Sequence, residues 1–284
     1  MNTVAFFFCD AVATLLTTPN LLNLRNFKGS WTISCLEHIE KRISLQIQVR
    51  ERPNAGWEYV FICRGERMAQ AKRLKFADVK KDEIITLVNV HKKYFKIESL
   101  LLGSYNWPLD CWKKLNPCDF TILASLIDDN TEVHIDEQKN IEFCKPLFND
   151  LATRKFKKLT LFYNEKFIDA FLDRQLKTGQ LEALTLAGNW PSNYKLMLYD
   201  FVNSASMTFL NIRSVEICAN VAHIQILVDR FLRGDFLRKP NGVIFEGLLE
   251  EDNVIRTQRD LFRGGTSACA YGCTGQVWDL VWKR

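Results

Sequence analysis

The stretch LTLFYNEKFIDAFLDRQLKTGQLEALTL, residues 159–186, decides the fold. It opens on Leu159-Thr160-Leu161 and closes on Leu184-Thr185-Leu186, two triplets of the apolar-x-apolar kind. Between them Phe167, Ile168, Phe171, Leu172 and Leu176 fall on one helical stripe that closes at Gly179. Period two, then period 3.6, then period two again reads as strand, helix, strand.

Working outward, the triplet recurs at Val133-His134-Ile135, Val215-Glu216-Ile217 and Val243-Ile244-Phe245. Five triplets therefore begin in turn at Val133, Leu159, Leu184, Val215 and Val243. Their separations fall inside or just beyond the range of leucine-rich repeats, which run at roughly 20 to 29 residues. Leu196, Leu198, Tyr199 and Val202 after Pro191, and Val221, Ile224, Leu227, Val228 and Phe231 before Gly234, supply further helices. A single strand-turn-helix-turn unit cannot bury its apolar face alone, but several stacked side by side form a parallel sheet backed by helices. An ordinary doubly wound α/β domain also alternates strands with helices. The short triplets favour the repeat array, because a central parallel strand should read as a longer apolar run.

In such an array the x positions project away from the helices, which places His134, Thr160, Thr185, Glu216 and Ile244 on the open face, with Asp136, Phe162, Cys218 and Glu246 one pleat along. His134, Asp136, Thr160, Phe162, Thr185, Glu216 and Glu246 are the candidate partner-binding residues. Their mixture of aromatic, hydroxyl and acidic groups suits a protein surface better than a polyanion. A merely solvated or covered face is the other reading for each.

Upstream, apolar residues from Phe7 to Ile39 recur at spacings of three and four and form a group of short helices, broken at Thr17-Thr18-Pro19-Asn20. Ile43, Leu45, Ile47 and Val49 then alternate with polar residues. Arg52 to Gly56 turns the chain, and Trp57, Tyr59, Phe61 and Cys63 alternate again, a β-hairpin. From Arg64 to Asp129 the pattern yields only a helix from about Lys75 to Lys92 and an apolar segment from Ile97 to Leu102. The expected fold class is α/β: amino-terminal short helices and a β-hairpin followed by a leucine-rich-repeat-like strand-helix solenoid. Its parts are a helical segment at 1–42, the hairpin and a mixed α/β region at 43–130, and the repeats at 131–284.

Composition bounds the function. With 284 residues, 47% apolar and 25% charged, the chain can bury a sizeable core. A net charge of +5 from 38 bases and 33 acids is too small an excess for a nucleic-acid footprint. The basic clusters at 72–75, 91–96 and 154–158 alternate with apolar residues, as solvated faces do. Nine cysteines, an odd number, lie singly in apolar runs such as Ile62-Cys63, Phe143-Cys144 and Ile217-Cys218, the pattern of reduced core thiols. Cys269 and Cys273 lack the neighbours for a zinc set, and no metal or cofactor is expected. The apolar start, residues 1–16, has no leading base and is interrupted by Asp10, unlike a signal peptide. With no run of ~20 apolar residues elsewhere, the expected location is cytoplasmic or nuclear, away from membranes.

Catalysis finds little support. His38, His91, His134 and His223 are far apart, and no HExxH, GxSxG or Walker-type run occurs. The Gly-rich stretch at 263–275 could cradle a phosphate with backbone amides, but it has no P-loop lysine and reads as a surface loop before a last strand, Gln276 to Trp282. His223 reads as a helix-surface or satisfied core histidine.

The opening, with Val4, Phe7, Val12, Leu15 and Leu16, then Leu22 and Leu24, then Trp31 and a basic Lys41-Arg42 before a strand, resembles a degenerate F-box, with Ala5 where a proline usually opens the box. The whole layout resembles the nematode families that join an F-box-like amino terminus to a leucine-rich-like carboxyl-terminal region. That resemblance implies a non-enzymatic substrate receptor of a cullin-RING ubiquitin ligase. Phe7, Phe8, Val12, Leu15, Leu16 and Trp31 would dock the adaptor subunit, and the repeats would hold a target protein. Two other readings stay open: a repeat scaffold without a ligase connection, whose helices only cap the array, and a nucleotide-binding protein using 263–275.

Overall fold

The structure, a computed structural model, describes residues 2–16, 18–52, 56–63, 92–103, 112–136, 145–163, 166–214, 216–217, 220–236, 243–248, 268–274 and 277–283. The helix expected at Lys75 to Lys92 lies almost wholly outside them, as do the turn at Pro53 to Ala55, Cys218 and the first part of the Gly-rich stretch.

Three helices come first, α1 (Asn2–Leu15), α2 (Thr18–Leu24) and α3 (Ser30–Lys41). The expected hairpin follows as β1 (Ile43–Arg52) and β2 (Gly56–Cys63), antiparallel from Leu45 opposite Cys63 to Arg52 opposite Gly56. Gly56, at φ 85°, supplies the left-handed backbone that re-enters the strand. The apolar segment at Ile97 is β3 (Phe95–Leu102), and β4 is only Lys113–Lys114. Helix and strand then alternate: α4 (Pro117–Leu126), β5 (Glu132–Ile135), α5 (Lys145–Ala152), β6 (Lys158–Phe162), α6 (Lys166–Lys177), β7 (Ala183–Ala187), α7 (Tyr194–Asn203), β8 (Phe209–Arg213), α8 (Val221–Leu232) and β9 (Val243–Leu248). A closing hairpin is β10 (Ala268–Thr274) and β11 (Val277–Lys283).

All eleven strands form one mixed sheet, in the order β10-β11-β9-β8-β7-β6-β5-β3-β1-β2-β4. From β1 through β3 and β5 to β9 every pairing is parallel, while the strands at both margins are antiparallel. Within β3 and β5 to β9 the spatial order is the chain order, with no reversal of direction. Helices α4 to α8 likewise each pack on the next. Alternate strand residues face these helices. Leu159, Leu161, Leu184, Leu186, Leu210 and Ile212 share one buried cluster with Ile168, Phe171, Leu172, Leu198 and Leu227. Fully burying each such side chain contributes about 1.5–3 kcal/mol.

Three expectations need correction. The fourth strand is not Val215-Glu216-Ile217 but Phe209–Arg213, with Leu210 and Ile212 in the core and Asn211 on the opposite face. In the sheet register Val133, Leu159, Leu184, Leu210 and Phe245 are successive partners. Leu196, read as part of a buried stripe, is 73% exposed because α7 turns Tyr194, Leu198, Phe201 and Val202 inward. Residues 268–274, read as loop, are strand β10.

Candidate interaction surfaces

Helices α1 to α3 carry a small core of their own, Ala13, Leu21 and Cys35, with Leu16, Leu24, Trp31 and Ile39 packed against it. Polar ties join this unit to the main body. Arg42, just after α3, buries its guanidinium and donates to the carbonyls of Ala13 (2.8 Å), Thr14 (3.3 Å) and Leu16 (2.5 Å), at and just past the end of α1. The fully buried His38 places Nε2 2.9 Å from Asp10 Oδ1, and Lys93 Nζ lies 3.3 Å from Asp10 Oδ2. Burial depresses the proton affinity of His38 and Asp10 opposes that effect. The Tyr94 hydroxyl donates to Glu37. That bond, followed by the Lys41 contact, holds the Glu37 carboxyl below its ordinary pKa.

Of the six residues expected to dock a partner, Phe7 (68%), Phe8 (62%) and Leu15 (76%) are exposed. Val12 is half-buried, while Leu16 and Trp31 pack on the small core. Phe8 meets Trp31 edge to face at 6.2 Å between ring centroids, which fixes one aromatic of the patch against the other. Sequence reading passed over Ile33 and Leu36, which are also exposed, because α3 is inverted. It buries Ser34, Cys35 and His38 and leaves the two large aliphatics outside. Nothing in the spacing marks that inversion; only Cys35, of a residue type commonly found buried, hints at it.

On the sheet, His134, Thr160 and Thr185 occupy one register row that continues through Asn211 to Glu246. At about 4.8 Å between strands the five side chains span roughly 19 Å. Asn211 Nδ2 donates to Glu246 Oε2 at 2.5 Å, and His134 Nε2 lies 3.1 Å from Glu132 Oε1. Phe162 is one pleat along, above Gly188. A Cβ on that glycine would stand 2.8 Å from the Phe162 ring, and its φ of 83° suits no other residue well, so Gly188 is the seat of the aromatic. Asp136 is exposed at the end of β5. Glu216 is exposed too, but in the loop after β8; Asn211 stands in the row instead, only 4% exposed and turned onto Glu246.

The histidine left open by sequence reading, His223, is a core residue. It is fully buried, stacks on Tyr199 at 4.0 Å and closes a capping box with Asn220 at the start of α8. Among the described residues no group of three His, Cys, Asp or Glu side chains could hold a metal ion, and no helix is long and apolar enough to cross a membrane. The chain matches no protein-family model, no curated protein and no solved structure.

Proposed function

We propose that this chain is a non-catalytic protein-interaction module built as a leucine-rich-repeat-like strand-helix array, an F-box-like substrate receptor that brings a target protein to a cullin-RING ubiquitin ligase. The α1–α3 unit docks the adaptor subunit, and the row His134, Thr160, Thr185 and Glu246, with Phe162, holds the target. One observation carries the reading: Phe7, Phe8, Leu15, Ile33 and Leu36 are exposed on helices that have a separate small core. Helices serving only to cover a repeat array would turn these side chains against the array. Large aromatic and aliphatic groups held outward in one small unit are what a partner helix needs. The chain-ordered parallel strands support the repeat architecture, since right-handed crossovers in an unreversed order put successive helices on one face and leave the other to a partner.

The test is the paired change Phe8→Asp and Leu15→Asp in the full chain. Both sites are exposed, so the circular dichroism spectrum and melting temperature should stay near those of the parent. Calorimetric affinity for the ligase adaptor should fall at least tenfold, about 1.4 kcal/mol. A folded parent chain that binds no adaptor sinks the receptor reading and leaves a repeat scaffold.

A further inference from the structure

Two basic clusters that are far apart in the chain, around Lys93 and around Arg154, meet at one place in the fold. A cavity of about 630 Å³ opens there between the end of α1 and the turn from α4 to β5, with Arg42, Lys93, Lys96 and Arg154 in its wall, facing Asp128 and Asp129. Both α1 and α4 end at it, and carbonyl ends of helices repel anions. The two arginines cover those ends. Arg42 holds the last carbonyls of α1, and Arg154 donates to the Ala124 carbonyl of α4 at 2.8 Å. Of the two lysines, Lys93 is already paired, its Nζ 3.3 Å from Asp10 Oδ2, so Lys96 brings the charge that is least engaged.

Lys96 is the informative one. Its side chain is only 16% exposed, yet its nearest carboxylate oxygen, Asp128 Oδ2, lies 3.9 Å away, beyond hydrogen-bond reach. Burial lowers the proton affinity of its ammonium; Asp128 and Glu98 oppose this, and the charges of Arg42 and Lys157 add to it. A largely buried ammonium that stands 3.9 Å from its acidic neighbour and faces an open cavity is a cost to the empty protein and an asset once an anion is present. Asp128 competes weakly, because its Oδ2 stands 3.9 Å from Lys96 and its side chain is half-exposed.

We propose that this cavity binds a compact phosphate-bearing anion, with Lys96 as its direct contact and Lys93 and Arg154 as flanking charges. The volume is that of a small-molecule site and exceeds what a single inorganic ion fills. Leu126 and Phe95 in the lining receive the remainder of such a molecule. Because α1 forms one wall, occupation ties the amino-terminal helices to the body. The site is independent of the receptor reading.

The experiment melts the full chain with rising inorganic pyrophosphate, using sodium chloride of matched ionic strength as the reference. In parallel the chain is floated with phosphatidylcholine vesicles with and without phosphatidic acid. The expected result is a saturable rise in melting temperature with pyrophosphate, a Kd at least tenfold weaker in Lys96→Met, and an unchanged Kd in Lys177→Met, a distant exposed lysine. Without ligand Lys96→Met should melt no lower than the parent, which separates a binding role from a structural one. Should that variant misfold, Ser125→Glu, which adds a negative charge at an exposed lining position, reads the same loss. Pyrophosphate binding assigns a soluble ligand, and retention on phosphatidic acid vesicles alone assigns a lipid headgroup, with the same loss on changing Lys96. No binding in either arm, or binding indifferent to Lys96 and Ser125, overturns the proposal.

Discussion

Arg42 is 2% exposed and ends on three backbone carbonyls of another helix, so its charge is spent inside the protein. Arg42→Met keeps the stem but removes the donor to those carbonyls, of which Ala13 alone keeps another among the described residues, the Leu16 N–H. The expected cost is about 2–4 kcal/mol in urea unfolding, with α1 the first element to lose amide-exchange protection. Its neighbour in this junction, His38, gives a pH dependence. The folded protein binds a proton at His38 less readily than the unfolded chain does, because burial outweighs Asp10 while Arg42 and Lys93 add repulsion. As pH falls through about 6.5 the unfolded chain takes up the proton first, so stability declines with acidification in that window. Melting temperatures between pH 7.5 and 5 should fall more steeply in the parent than in His38→Gln; parallel curves would show that His38 is not the cause. None of this was legible in the sequence, where Lys41-Arg42 is a basic pair before a strand and His38 one polar residue in a helix. Their roles depend on carbonyls and a carboxylate of α1, two helices earlier in the chain.

At the scale of elements, periodicity was a good guide wherever one face is buried. The α6 stripe, the hairpin from Ile43 and the triplets at Leu159 and Leu184 all became the elements that their spacing predicts. It failed where two segments carry the same pattern. Leu210-Asn211-Ile212 and Val215-Glu216-Ile217 are equally good triplets, and only sheet register, a tertiary property, selects the first. It failed again for α3, which buries its small and polar residues. Helix α8 shows how local chemistry then fixes an end. Asn220 accepts from the N–H groups of Ala222 and His223, and its amide faces His223 Nδ1 in return. Tyr199 also donates its hydroxyl to Asn220. Asn220→Ala should cost about 1–2 kcal/mol by thermal melting, with the loss confined to α8 and its contact with α7.

Across the whole molecule, the sheet has two different margins. One is the short β4; the other is the β10–β11 hairpin, whose inner strand pairs with β9 from Trp282 opposite Val243 to Val277 opposite Leu248. A chain ending at Leu248 would expose the backbone groups of β9 as an open edge beside Val243 and Phe245. Light scattering should then report oligomers growing with concentration, where the full chain stays of one size. The order of β3 and β5 to β9 has one more consequence. Since each of these strands lies beside its predecessor in the chain, order can spread by accretion, each strand using the last as its template. Removing β7 with the helix before it would bring β6 against β8 and leave the other strand pairings as they are, so the length of this sheet can change one strand-helix pair at a time.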